Sequence, residues 1–184
     1  RDVFDKRAIA KGDVKFYEVG YLEASPRYNK KDKLSVAISI DDFGVFYAQE
    51  DANAVAAGLG KKKSKVVVDK GQVVRVAKDA TGTITREVLT KKWSDWIDYW
   101  AVDFNYTSQK EVITLIEDGQ QRDLWTGRYI FENEWQSFRT RKDRDLELLS
   151  SEHTYDTPGT YKVAVKVIDV FGNDTTKVIT VKVG

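Results

Sequence analysis

Two runs of residues near the end of the chain alternate between apolar and polar side chains. Positions 161–167 carry Tyr or Val at every second residue, while Lys162, Ala164 and Lys166 occupy the positions between them. The same alternation returns at 179–183, after a Gly-Asn-Asp turn that can supply positive φ angles. Because side chains alternate across a strand, the two runs predict an antiparallel ribbon with one buried face and one solvent-facing face.

The rest of the chain repeats this strand signal in shorter runs. They are rich in β-branched and aromatic residues and lie at 14–23, 34–40, 65–68, 72–77, 83–88, 111–117, 124–131, 134–138 and 146–149. Ser25-Pro26 is predicted to end the first of them, which forms a predicted hairpin with the second. This makes eleven or twelve strands at regular spacings, which is typical of a β-sandwich or of two small β units. The sequence therefore predicts an all-β fold.

Residues 50–64 differ in composition from the strands around them. Alanine, then glycine, then three lysines follow one another, so we expect either a short helix over 52–57 or a flexible loop. Lys61 to Lys63 are predicted to form a solvated tip, and phosphate contact is the alternative. With a boundary after this loop, the chain divides into a small β-rich unit at 1–89 and an immunoglobulin-like sandwich at 90–184.

Charge and composition exclude several kinds of site. The chain has 30 basic and 29 acidic side chains, so its net charge of +1 gives no overall attraction to nucleic acid or membranes, and any such contact needs a local patch. The absence of cysteine excludes a disulfide-linked partner and cysteine metal sites. No apolar run approaches the roughly eighteen residues of a membrane-spanning helix, so we expect no membrane partner.

Candidate catalytic groups are few. Histidine is a common general acid or base, but His153 lies at the start of a strand with no second histidine in the chain, and a structural role is predicted. Asp95, Asp98 and Asp103 are close in sequence but do not share one face of a strand, so turn and edge roles are expected. The sequence also lacks G-x-S-x-G and the glycine-rich phosphate loops. We therefore expect no catalysis, no cofactor and no metal site.

The segment 135–144 interleaves aromatic residues with cations. Arg and Lys neutralise phosphates, and neighbouring aromatic rings stack on bases. We expect a nucleic-acid surface here, while the competing interpretation is an exposed loop whose charges pair with one another. The candidate nucleic-acid-binding residues are Trp135, Arg139, Arg141, Lys142 and Arg144.

A second aromatic group precedes this segment. Trp100 is predicted to lie in the core of a sandwich, which needs large aromatic side chains. Trp93 and Trp96 fit either a core position or an aromatic platform that stacks on sugars or bases.

The end of the chain resembles the closing strands of a PKD-type immunoglobulin-like domain. The resemblance rests on His153, Tyr155, Gly159 and Tyr161, followed by alternating valines and Asp169. In that family the first tyrosine and the glycine shape the corner, and the alternating residues fill the core. The stretch 99–104 is similar to the family's Trp-Asp-Phe strand but lacks the Gly-Asp-Gly that follows it there. The resemblance implies an immunoglobulin-like antiparallel sandwich.

Four blocks resemble the carboxy-terminal region of prokaryotic site-specific DNA-methyltransferases of the type III restriction-modification kind. They are 14–23 (VKFYEVGYLE), 93–103 (WSDWIDYWAVD), 131–144 (FENEWQSFRTRKDR) and 167–175 (VIDVFGNDT). The methyl-transfer motifs of that family are absent, so the resemblance implies a cytoplasmic, non-catalytic accessory module that contacts DNA or a partner subunit. It would also explain why the chain begins with Arg1 and contains no methionine, as a piece of a longer protein would.

Two other functions fit the same sequence. One is an extracellular PKD-like adhesion or carbohydrate-binding module that uses the tryptophan platform. The other is a protein interaction domain that pairs through an exposed strand edge. The parent reading frame separates adhesion from DNA modification, because a secretion signal upstream favours the first and a methyltransferase motif upstream favours the second.

Overall fold

The computed structural model describes residues 20–184, and it confirms the all-β class. Strands make up 56% of the structure and helices only 7%, so the sheets must supply the core. One short α-helix, α1, covers Ala52–Gly58, and a 3₁₀ helix covers Trp93–Trp96. The strands are β1 (Gly20–Tyr28), β2 (Ser35–Val45), β3 (Lys63–Asp69), β4 (Gln72–Lys78), β5 (Ile84–Val88), β6 (Ile97–Asp103), β7 (Lys110–Glu117), β8 (Gln120–Tyr129), β9 (Trp135–Phe138), β10 (His153–Thr154), β11 (Gly159–Asp169) and β12 (Asp174–Val183).

The strand order is that of an immunoglobulin-like sandwich. One sheet has the order β1-β2-β10, and another has the order β12-β11-β6-β9. Seven strands remain when the two insertions described below are left out. As in immunoglobulin-like domains, the first two strands, β1 and β2, share a sheet with β10, and the last two, β11 and β12, share the other sheet with β6. The first insertion is the sheet β3-β4-β5, between β2 and β6, and the second is the hairpin β7-β8, between β6 and β9.

The chain folds as two compact units that interleave along the sequence. The first unit takes in Asp42–Asp98 and Ile168–Thr175 together with the described residues up to Glu23, and the second takes in Ala24–Asp41, Tyr99–Val167 and Thr176–Gly184. Strand order also puts β1 and β2 in a sheet with β10, whereas the sequence predicts them in a smaller amino-terminal unit. Pairing between strands so far apart leaves no local signal. The division at 89/90 itself stays a prediction.

In the second unit, the alternation in β11 and β12 fills the core. Val163, Val165 and Val167 are fully buried, and Lys162 points to solvent. Ala164 is an exception to the predicted pattern, because it is also fully buried. β11 lies between β12 and β6 and is therefore not an edge strand, and a methyl side chain needs little cover to be shielded from solvent.

Two tyrosines hold the corner before β11, whereas the PKD-type resemblance implies the first of them, Tyr155, together with Gly159. The Tyr161 hydroxyl donates to the carbonyl oxygen of Thr157 at 2.8 Å, four residues upstream, which is the tyrosine corner of immunoglobulin-like sandwiches. The Tyr155 ring stacks on the Tyr161 ring with centroids 3.8 Å apart, and its hydroxyl donates to the carbonyl oxygen of Phe104. Burial raises the pKa of the Tyr155 hydroxyl, so it stays a neutral donor.

In the first unit, the inserted sheet begins with a two-residue hairpin. Lys70 and Gly71 both have positive φ angles, of 51° and 75°, which the twist of a tight hairpin requires. The α1 helix packs its alanines on the valines of β3 and β4, and Asp51 caps it by accepting a hydrogen bond from the Asn53 backbone N–H at 2.7 Å. Of the two interpretations of 50–64, the structure therefore selects the short helix.

Two strand boundaries differ from the sequence-based expectation. β1 continues through Ser25-Pro26 to Tyr28, because proline is tolerated in a strand that lies at the edge of its sheet. The predicted strand at 146–149 is reduced to a single bridge between Leu149 and Ser39. The start of the strand predicted at 14–23 lies outside the described residues.

Candidate nucleic-acid interface

The predicted basic segment begins on β9, which is anchored in the second unit. β9 pairs antiparallel with β6, with Trp135 opposite Val102 and Phe138 opposite Tyr99. The Trp135 ring packs edge-on against the buried Trp100 ring, with centroids 4.6 Å apart. Trp135 is therefore half-buried and packs the segment onto the core. Only part of its ring surface is left to contact a base.

A hydrogen-bonded turn follows the strand. The backbone N–H of Thr140 donates to the carbonyl oxygen of Asp143 at 2.7 Å, and the backbone N–H of Asp143 donates to Thr140 Oγ1 at 2.9 Å. The Asp143 carboxylate accepts a hydrogen bond from the backbone N–H of Asp145 at 3.0 Å. Arg141 and Lys142 lie at the tip of this closed turn, and both are exposed.

The four cations of the segment have different surroundings. Arg139 is half-buried and donates to the backbone carbonyl oxygen of Arg144, so it helps to close the turn. Arg144 is exposed. Neither Arg141 nor Lys142 joins an ion pair within residues 20–184. Asp143 and Asp145 lie next to these cations in the sequence, so the interpretation in which the loop's charges pair with one another stays a prediction.

Phe138 is a part of this surface that the candidate residues from the sequence do not include. Its side chain is 52% exposed, and it directly precedes Arg139. Along β9, Trp135 and Ser137 face inward, so Phe138 must face outward. The sequence signal that could have identified Phe138 is strand alternation, because a core position for Trp135 puts Phe138 on the solvent-facing side of the strand. Phe138 is thus better placed than Trp135 to meet a base.

The alternative aromatic platform is divided between packing and surface. Trp96 is 8% exposed, and it stacks on Tyr47 and meets Phe171 edge-on, with ring centroids 6.0 and 6.3 Å away. Trp93 is half-buried on the 3₁₀ helix. Of these two tryptophans, only Trp93 therefore has much surface to offer a sugar. Trp100, predicted to be in the core, is fully buried.

The acidic residues and the histidine have structural surroundings. Asp95 accepts hydrogen bonds from the backbone N–H groups of Lys91 and Lys92, at the start of the 3₁₀ helix. Asp103 is buried and accepts from backbone N–H groups, and burial raises the pKa of its carboxyl group. The His153 ring stacks on Phe104 with centroids 4.5 Å apart. Within residues 20–184, no three His, Cys, Asp or Glu side chains are grouped to hold a metal ion.

The β7-β8 hairpin is a second exposed surface of the second unit. It forms a two-stranded sheet of its own, so neither of its outer edges is paired within the described part of the chain. Ile116 is 74% exposed, and Ile113 and Trp125 are about half exposed. The expectation of a protein interaction through a strand edge stays a prediction, and this hairpin is where it would apply.

No protein-family model, curated protein or solved structure matches this chain. In residues 20–184, no helix has the length and apolar character needed to cross a bilayer. The strand order places the chain in the class of all-β proteins with an immunoglobulin-like sandwich. Its function has to be argued from the surfaces described above.

Proposed function

We propose that this chain is a non-catalytic accessory module of a DNA-modification protein, with a role in holding DNA or a partner subunit. The DNA contact is made by the turn at 139–144. The observation that carries the proposal is the pair of exposed cations, Arg141 and Lys142, at the tip of a turn closed by its own hydrogen bonds. The four sequence blocks that resemble type III DNA-methyltransferases give the biological setting.

The geometry of the turn favours phosphate as the ligand. Arg141 and Lys142 form no ion pair among the described residues, so both are available to a phosphate oxygen. The Asp143 carboxylate is directed to the backbone of Asp145 instead. Because the turn is held by hydrogen bonds, less conformational entropy is lost when it binds. Contacts of this kind position a protein on a duplex and do not depend on base sequence.

The exposed Phe138 ring adds a contact for an unpaired base. Aromatic stacking is worth about 1–3 kcal/mol per base and accepts every base, because each has a π face. Phe138 directly precedes the turn in the sequence, and proteins that bind single strands combine cationic grooves with aromatic rings of this kind. We therefore expect single-stranded or distorted DNA to bind at least as well as regular duplex.

The proposal predicts the salt dependence of DNA binding. Replacing Arg141→Glu and Lys142→Glu together should weaken binding and make the negative slope of log K against log salt shallower by about 2 on duplex DNA, because each phosphate contact contributes about −0.9 to that slope. The measurement is fluorescence anisotropy of a labelled duplex at several salt concentrations. Arg139 is left unchanged, because it also closes the turn.

The matched control reverses two exposed lysines elsewhere in the second unit, Lys30→Glu and Lys31→Glu. It changes the net charge equally but leaves the turn intact. Equal weakening by both variants would show that only net charge matters. Unchanged binding by the turn variant at low salt, where phosphate contacts are strongest, would remove the DNA assignment.

A further inference from the structure

One face of the inserted sheet in the first unit is apolar at one end and carries cations at the other. Cross-strand neighbours on this face form rows, because opposite residues of antiparallel strands point to the same side. The row Val67, Val74 and Val88 lies in the core under α1. The next two rows toward the start of β3 each contain two cations and one apolar residue. One row is Lys65, Val76 and Arg86, and the other is Lys63, Lys78 and Ile84.

The last of these rows sets two like charges side by side. Lys63 lies directly opposite Lys78, and such partners have Cβ atoms about 4.5–5.5 Å apart. Like charges in this position are destabilising. The Lys78 ammonium is also fixed in place, because it donates to the carbonyl oxygen of Leu59 at 3.0 Å. The hairpin register therefore holds an electrostatic cost that a bound anion would relieve.

Three more cations lie just before β3 and on β5. The Asp79 carboxylate, which is next to Lys78 in the sequence, is hydrogen-bonded within its own turn. Lys61 and Lys62 precede β3 and are exposed. Arg86 is exposed on β5. The Asp79 carboxylate accepts hydrogen bonds from the Thr81 hydroxyl and from the backbone N–H groups of the same turn, and these bonds lower its pKa, with the hydroxyl as the main cause.

Two further acids of this unit, Glu50 and Glu87, pair with other cations. Glu50 pairs with Lys65 at 2.5 Å. Within residues 20–184, none of the remaining five cations takes part in an ion pair. We name this set of five the lysine face; its members are Lys61, Lys62, Lys63, Lys78 and Arg86.

We propose that the lysine face binds the phosphate backbone of a nucleic acid. An extended polyanion fits because the cations are spread over the start of β3, the end of β4 and β5, and form an open surface. Phosphates spaced along a strand can meet several of them in turn, whereas one free phosphate would meet few. This site belongs to the first unit, and the turn at 139–144 belongs to the second, so the inference does not depend on the proposed function.

The test replaces Lys61→Gln, Lys62→Gln and Lys63→Gln together in the full chain. We expect weaker binding of a labelled duplex, and a negative slope of log K against log salt that is shallower by about 2–3, because three phosphate contacts are lost. The matched control replaces Lys30→Gln, Lys31→Gln and Lys33→Gln, which removes the same charge from another exposed segment. Thermal unfolding of both variants checks that each is folded.

The outcomes separate this inference from the proposed function. An equal loss in the matched control overturns the inference, because net charge alone would explain the binding. A triple variant that binds duplex like the wild-type chain overturns it too, and loss of binding to anionic phospholipid vesicles in that variant would then assign the face to a membrane surface. If the triple variant loses duplex binding while the Arg141→Glu, Lys142→Glu variant binds normally, the result supports the lysine face and excludes the turn at 139–144 as the DNA site.

Discussion

Replacing Trp100 with alanine is expected to lower the free energy of unfolding by about 3–5 kcal/mol. The side chain is fully buried, and its ring packs edge-on against Trp135. Its Nε1–H donates to the backbone carbonyl oxygen of Glu147 at 2.6 Å, so the substitution both opens a cavity and removes this hydrogen bond. Chemical denaturation followed by far-UV circular dichroism measures the change.

The chain offers a matched control for this substitution. Trp125 is 49% exposed on the β7-β8 hairpin, so Trp125→Ala removes the same atoms without opening a core cavity. We expect it to cost less than about 1 kcal/mol. If Trp100→Ala cost no more than Trp125→Ala, the assignment of Trp100 to the sandwich core would be wrong.

Replacing Asp169 with alanine is expected to cost about 3 kcal/mol, because three donors lose one buried acceptor. Asp169 is 2% exposed. Its carboxylate accepts hydrogen bonds from the Tyr47 hydroxyl and from the backbone N–H groups of Phe171 and Asn173. The Tyr47 ring also lies against Phe171, with centroids 4.8 Å apart. The substitution should therefore loosen the whole turn between β11 and β12.

A double-mutant cycle tests whether Tyr47 and Asp169 act together. Tyr47→Phe removes only the hydroxyl and should cost about 1 kcal/mol in the wild-type chain. In the Asp169→Ala background the same change should cost clearly less, because the hydroxyl has already lost its acceptor. Equal costs in both backgrounds would contradict the coupling. Asp174→Ala is the control, since Asp174 is exposed at the start of β12.

Local patterns made much of the fold predictable. The alternation at 161–167 places valines in the core because a strand repeats every two residues. The Lys70-Gly71 turn and the short strands beside it were also visible as local signals. Pairing between β2 and β10 was not predictable, because Val36 and His153 meet only through the folded chain. The same holds for the hydrogen bond between Tyr47 and Asp169.

The candidate surfaces were predictable in part. The cations of 139–144 stand out in sequence, but the closure of the turn by Thr140 and Asp143 needs backbone geometry. The opposition of Lys63 and Lys78 was available in principle, because a two-residue turn at Lys70-Gly71 fixes the register of β3 on β4. With a solvated loop tip at 61–63, the predicted strand begins at Lys65, two residues too late to include Lys63, so this lysine has no predicted cross-strand neighbour.

The solvent exposure of β7 and β8 has a consequence for local stability. Two-stranded ribbons that lack a covering layer are only marginally stable in water. Amide protons of Val112 and Ile113 should therefore exchange with deuterated solvent through local opening, long before those of β11. Such opening exposes the pentapeptide 112–116, in which four of five residues are apolar and which is of the kind that seeds fibrils. The carboxylates of Glu111 and Glu117 at its two ends oppose stacking by mutual repulsion.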